Sequence, residues 1–180
     1  MNHAHKDGCV FCDVAGGKID ASIVLENKLT MAFIDLRQFH PGHILVIPRR
    51  HLRDVRDLDH STGAALMETL SRVARAVAAV FPNEGLSVWH SIGEAAFQEV
   101  PHLHVHIHPR FQNDRVLQVY PSAPPTPDKQ KRDEYAAALR EYIGQSLTPN
   151  TPNQAMQRTS VKQETEQAAG STGERLRDEG

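Results

Sequence analysis

The chain predicts an α+β fold, an antiparallel β-sheet meander with a long amphipathic helix and a short C-terminal helix. Three features of the sequence predict it. Short β-rich runs separated by turn residues occupy positions 23–47, apolar residues recur at helical spacing between 66 and 81, and histidine alternates with aliphatic residues from 102 to 108.

The first strands are Ile23-Val24-Leu25, Met31-Ala32-Phe33-Ile34 and Ile44-Leu45-Val46-Ile47, divided by Glu26-Asn27-Lys28 and by a loop containing Pro41-Gly42. Leu66, Leu70, Val73, Val77 and Phe81 then step by three or four, which predicts a helix of about five turns, capped by Ser61 or Thr62 and ended by Pro82 and Gly85. LSVWHSI at 86–92 reads as a fourth strand and residues 100–108 as a fifth, with helices packed on one face of the sheet. PSAPPTPDK is a Pro-rich connector and DEYAAALREYI at 133–143 a short final helix. Beyond Gln145 there is no aromatic residue and little aliphatic surface, so burial cannot offset the entropy of ordering. The expected organisation is a catalytic domain over 1–120, a connector and helix over 121–145, and a disordered tail over 146–180.

A length of 180 residues suits one domain plus a tail, and a net charge of -2 provides no general attraction to nucleic acid or anionic membrane. The expected partner is small, and any phosphate is met by a local site. The start, MNHAHKDGCVFC, lacks the basic and apolar segments of a signal peptide, and the longest apolar run, at 76–81, cannot span a bilayer. The expectation is a cytoplasmic protein.

On a strand, residues two apart share a face, so His102, His104, His106 and His108 are expected to point one way and Leu103, Val105 and Ile107 into the core. Imidazole titrates near neutrality and serves as nucleophile, acid, base or metal ligand. The spacing permits either a metal cluster or phosphate chemistry. A His-x-His metal site usually adds another His or a carboxylate, and the only acid nearby, Glu99, falls on the opposite face. Cys9 and Cys12, the only cysteines, have the separation of a chelating or redox pair. Too few residues precede Cys9 for the strand that a thioredoxin-like redox motif requires, so metal binding is preferred.

QEVPHLHVHIHPR at 98–110 resembles the signature of the histidine triad (HIT) family of nucleotide hydrolases and transferases. CVFCDVAGGKI at 9–19, AFIDL at 32–36 and PGHILVIPRRH at 41–51 resemble the family in the same order. The resemblance implies a HIT-like fold and a homodimer paired through the long helix and adjacent sheet. It implies cleavage at the α-phosphate of a nucleoside phosphoramidate or dinucleoside polyphosphate through a covalent nucleotidyl-histidine. His104 takes the nucleophile's position, His106 that of the group beside the phosphate and leaving group, and His43 that of a histidine orienting the triad. Asp35 matches the group that binds the ribose hydroxyls, and Phe11, Ile19, Phe33 and Leu36 match positions around the base. Gln98 belongs to a loop that contacts phosphate. Phe97 and Ser91 depart from the commoner Gly and amide at their positions, which bears on substrate preference.

In zinc-containing bacterial-type relatives, the positions of His51 and His102 complete a site with the two cysteines, which implies a structural zinc on Cys9, Cys12, His51 and His102. His108 has no family counterpart and is expected at the strand's end, facing solvent or phosphate. Two other classes stay open. One is a metal-dependent hydrolase or oxygenase with His102, His104 and His106 as ligands. The other is a non-catalytic nucleotide-binding or sensor protein.

Overall fold

Alternation gives the central sheet two buried faces. In the computed structural model, which describes residues 5–117 and 124–146, the strands are β1 (Ile23–Glu26), β2 (Thr30–Ile34), β3 (Ile44–Pro48), β4 (Gly85–Trp89) and β5 (Val105–Arg110). They form an antiparallel sheet in the order β1-β2-β3-β5-β4. The meander over β1 to β3 and the α+β class are as the sequence predicts.

Helix α2 (His60–Val80) covers one face. Its Leu66, Leu70, Val73 and Val77 pack with Ala32 of β2, Ile44 and Val46 of β3, and Val105 and Ile107 of β5. Buried hydroxyls align helix and sheet: Thr30 and Thr69 hydrogen-bond at 2.8 Å, and Asn27 donates to both. The expectation that helices occupy a single face is corrected by α1 (Val10–Ala15). The intervening residues Met31 and Phe33 of β2 and Leu45 and Ile47 of β3 point the other way and pack with Cys9, Phe11, Cys12 and Val14. All of β3 is buried, as a strand covered on both sides must be.

Several boundaries differ from expectation. The cap of α2 is Asp59, not Ser61 or Thr62, because its carboxylate accepts the Thr62 N–H at 3.0 Å as well as both neighbouring hydroxyls. The fourth strand stops at Trp89 rather than 92 because the His90 ring turns away to the backbone of His104. The fifth begins at Val105 rather than 100. Ahead of it the chain turns, with the His102 N–H on the Val100 carbonyl at 2.8 Å and the Leu103 N–H on that of Leu52 at 2.6 Å. His102 and His104 therefore precede the ladder, but the expected alternation holds: Leu103, Val105 and Ile107 all enter the α2 core, whereas His102 and His104 meet Phe11 on the other side and His106 pairs with Leu45 of that side.

The chain divides into two compact units, with the sheet and both these helices in the first. In the second, α3 runs over Lys129–Ser146, longer than the predicted 133–143. The remainder of the expected tail lies outside the described residues. No helix among the described residues is long and apolar enough to cross a membrane.

Candidate active site

The loop between β2 and β3 is fastened by one side chain. Gln38 donates its amide to the carbonyls of Asp35 and His43 at 2.7 and 2.8 Å and accepts the N–H groups of Gly42 and His43 at 2.9 and 3.1 Å. Gly42 is required here. Its φ is +98°, and a Cβ would lie 2.6 Å from the ring of Phe81. Phe81 thus fixes the turn that delivers His43 to β3.

The His43 Nδ1–H donates to the carbonyl of Arg37 at 2.9 Å. A carbonyl only accepts, so the proton of a neutral ring is on Nδ1, and Nε2 accepts the Nδ1–H of His106, also at 2.9 Å. This leaves His106 Nε2 as a lone pair. Trp89, opposite His106 in the β4–β5 register, stacks on that ring at 4.4 Å with the planes 7° apart. Burial, followed by the fields of the neighbouring imidazoles and Arg37, pushes His106 down to about 3.

His104 obeys the same logic. Its Nδ1–H donates to the carbonyl of His102 at 2.6 Å, so Nε2 of the neutral ring is an unprotonated nucleophile. Phe11 and His106 meet the ring edge-on at 5.2 and 5.0 Å, and His90 donates from Nδ1 to the His104 carbonyl at 2.9 Å. Burial holds His104 below the ordinary imidazole range, which keeps the ring neutral at physiological pH.

His102 reaches the cysteine pair and is fully buried. It donates Nε2–H to the Pro48 carbonyl at 3.0 Å, which leaves Nδ1 as a lone pair 3.4 Å from the Cys9 Sγ and 3.6 Å from the Cys12 Sγ. His51 Nδ1 lies 3.4 Å from Cys12 Sγ. One donor atom from each of Cys9, Cys12, His51 and His102 falls within 4.8 Å of all the others, so this cluster could hold a metal ion. Asp35, His43 and His106 also converge, but the lone pair of His43 is already engaged by His106. The rings of His102, His104 and His106 enter separate hydrogen-bond systems and do not form a common ligand set.

The remaining expected site residues divide. Asp35 is buried with Oδ2 3.7 Å from His43 Nδ1, and its Oδ1 accepts the Arg37 N–H. Phe11 and Phe33 are buried and touch edge-on at 5.7 Å, whereas Ile19 is 42% exposed and Leu36 100%. The side chain of Gln98 is committed to the protein, accepting the Gly93 N–H and donating to the Arg53 carbonyl. It shapes the loop before His102.

Of the two expectations for His108, the solvent-facing one is corrected. The residue is 1% exposed, its ring 4.7 Å from His43 and 5.6 Å from His40. The loop carrying His40 and His43 folds over the end of β5 and covers it. Arg37, Gln38, His40, Trp89 and His90 are absent from the sequence-based site. Pairing of Trp89 with His106 is the signal that a correct strand register supplies.

The chain matches the HIT domain family over residues 16–113, more than half its length. It belongs to the HIT domain family. Among relatives of this HIT domain protein, Protein hit of Bacillus subtilis is 34% identical over 105 residues, covering 58% of this chain and 72% of the relative. Adenosine 5'-monophosphoramidase hnt1 of Schizosaccharomyces pombe is 32% identical over 140 residues, 77% of this chain and 98% of the relative. The asymmetrical bis(5'-nucleosyl)-tetraphosphatase of the same yeast is 34% identical over 96 residues, 53% of each chain. The crystal structure of SMU.412c from Streptococcus mutans superposes on the HIT fold described here with a TM-score of 0.72 at 31% identity, covering 78% of this chain and 88% of that one.

Proposed function

We propose that this HIT domain protein is a nucleotide hydrolase or transferase acting at the α-phosphate of a dinucleoside polyphosphate or nucleoside phosphoramidate. The observation that carries the proposal is the 2.6 Å hydrogen bond from His104 Nδ1–H to the His102 carbonyl, because it leaves Nε2 bare in a buried, neutral ring. The activities named for the two yeast relatives support this substrate class.

In the first step the lone pair of His104 Nε2 forms a bond to the α-phosphorus while the bond to the leaving group breaks, and the leaving group keeps that electron pair. Water then attacks the phosphorus of the nucleotidyl-histidine, its proton passes to the lone pair of His106 Nε2, and the electrons of the P–N bond return to His104. His43, anchored to Arg37, holds the other side of His106 and fixes its tautomer. Asp35 is suited to accept from ribose hydroxyls. The two substrate classes differ in proton demand. A phosphate leaving group departs as an anion, whereas an amine departs after its nitrogen takes a proton from solvent, because neutral His106 carries none at Nε2.

The cysteine–histidine cluster fits zinc. With Zn–S of about 2.3 Å and Zn–N of about 2.0–2.1 Å, a tetrahedral N–S edge is about 3.6 Å, and the observed N···S separations are 3.4–3.6 Å. A zinc bound there would neutralise two thiolates and tie α1 to the segment before β5. Cys9, Cys12, His51 and His102 would hold it, and His102 carries the carbonyl that positions the nucleophile. Pairing of two chains through α2 and the adjoining sheet belongs to the same reading, with light scattering as its test.

Turnover of a dinucleoside tetraphosphate and an adenosine phosphoramidate by wild type and His104→Ala tests the function. The expected loss is at least about a thousandfold with the fold retained. Undiminished turnover refutes the assignment, and binding without turnover by wild type supports the sensor alternative.

A further inference from the structure

The groups around the reacting atoms lack a fixed positive charge. His106 and His43 are satisfied as neutral rings by the chain of bonds ending on the Arg37 carbonyl, and Asp35 adds a negative charge. Yet the substrate brings a phosphate anion. Arg37, whose carbonyl anchors His43, carries a guanidinium, and Glu99 lies in the loop before His102, close enough to the site for their fields to reach His106 and His104 respectively. These two side chains bond to each other across the gap between the β2–β3 loop and the loop before β5. Arg37 Nη1 and Nη2 donate to Glu99 Oε1 and Oε2 at 3.1 and 2.8 Å.

That parallel two-point arrangement is the one a guanidinium makes with a phosphate. The side chains are 75% and 65% exposed, so water screens the pair and its rupture is inexpensive. Neither residue is held by a second ion pair among those identified in the described residues.

We infer that Arg37 is a phosphate-binding, specificity-determining residue and that Glu99 occupies its guanidinium until substrate phosphates displace the carboxylate. The inference rests on the proposed reaction and deepens it. A guanidinium at the rim meets phosphates beyond the α position, so it favours substrates with a polyphosphate chain over those with a single phosphorus. Glu99, once released, leaves the negative charge in solvent, and the exchange involves no covalent change.

A simple latch between the loops makes a different prediction. If the pair only held the two loops together, removing either partner would weaken binding. Masking predicts opposite signs. The test is calorimetric binding of ADP and AMP to full-length wild type, Arg37→Met, Glu99→Gln and the double variant, with KM and kcat on a dinucleoside tetraphosphate. Arg37→Met is expected to weaken ADP binding about tenfold or more, the scale of a charge-assisted hydrogen bond, with a smaller effect on AMP. Glu99→Gln is expected to tighten ADP binding about two- to fivefold, the scale of an exposed ion pair, and the double variant to lose that gain. KM should follow binding while kcat stays near wild type. Weaker ADP binding by Glu99→Gln, or equal losses for ADP and AMP in Arg37→Met, overturns the inference. Detection of the wild-type covalent adduct by intact mass in the same samples separates the outcomes: without an adduct the proposed reaction fails, and with one but without opposite signs only the masking role fails.

Discussion

A single carbonyl joins the cysteine–histidine cluster to the nucleophile: His102 directs its ring at Cys9 and Cys12 and accepts the Nδ1–H of His104 on its backbone oxygen at 2.6 Å. Movement of His102 therefore changes both the orientation and the tautomer of His104. This relationship makes a structural cluster relevant to rate.

Loss of the cluster should consequently lower activity through geometry. Cys9→Ser with Cys12→Ser is expected to abolish stoichiometric zinc by elemental analysis, to lower the melting temperature, and to reduce kcat more than it raises KM. A misplaced reacting group costs on the order of a hundredfold. Unchanged melting and kcat after loss of both thiols would contradict the coupling.

His43 acts through His106, so its removal should leave substrate affinity nearly intact. His43→Ala is expected to lower kcat by about a hundredfold, the cost of losing orientation of a reacting group, with KM little changed. A rise in KM alone would place His43 in substrate binding.

Buried imidazoles should make the fold sensitive to acid. His106 is pushed down to about 3 from an unfolded value of 6.5, and burial also lowers His108. Between these values the unfolded chain binds more protons than the folded one, so stability is complete above pH 6.5 and is lost as pH falls toward 3. The urea midpoint should fall from pH 7 to pH 5, and His106→Gln should flatten that dependence. An identical slope in wild type and variant would contradict the assignment.

Ile107 lies between His106 and His108, is fully buried, and packs under α2. Ile107→Ala is expected to cost about 2–5 kcal/mol in chemical denaturation. A loss below about 1 kcal/mol would mean that α2 packs less closely than the structure describes.

The sequence makes the β1–β3 meander legible through its short β-rich runs and turn residues, and it makes α2 legible through Leu66, Leu70, Val73 and Val77, but the second core under α1 appears only in the folded chain. The histidine alternation correctly sends Leu103, Val105 and Ile107 into the α2 core, but it overstates the strand, because backbone bonds to Val100 and Leu52 turn the chain before the ladder begins at Val105. Periodicity cannot show which carbonyl a ring meets. For the same reason His108 reads as a strand end, although His40 and His43 cover it from a loop far away in sequence. Gln98 reads as a phosphate contact, but tertiary partners at Gly93 and Arg53 occupy its amide. Arg37 and Glu99 are separated by 62 positions, and only the folded chain brings them together.

The most direct test of the central claim is mass analysis of the intact protein rapidly quenched at alkaline pH during turnover of a dinucleoside polyphosphate, followed by peptide mapping. The expected result is the addition of one nucleoside monophosphoryl group on His104, absent in folded His104→Ala. An adduct on another residue, or one that persists in His104→Ala, would contradict it.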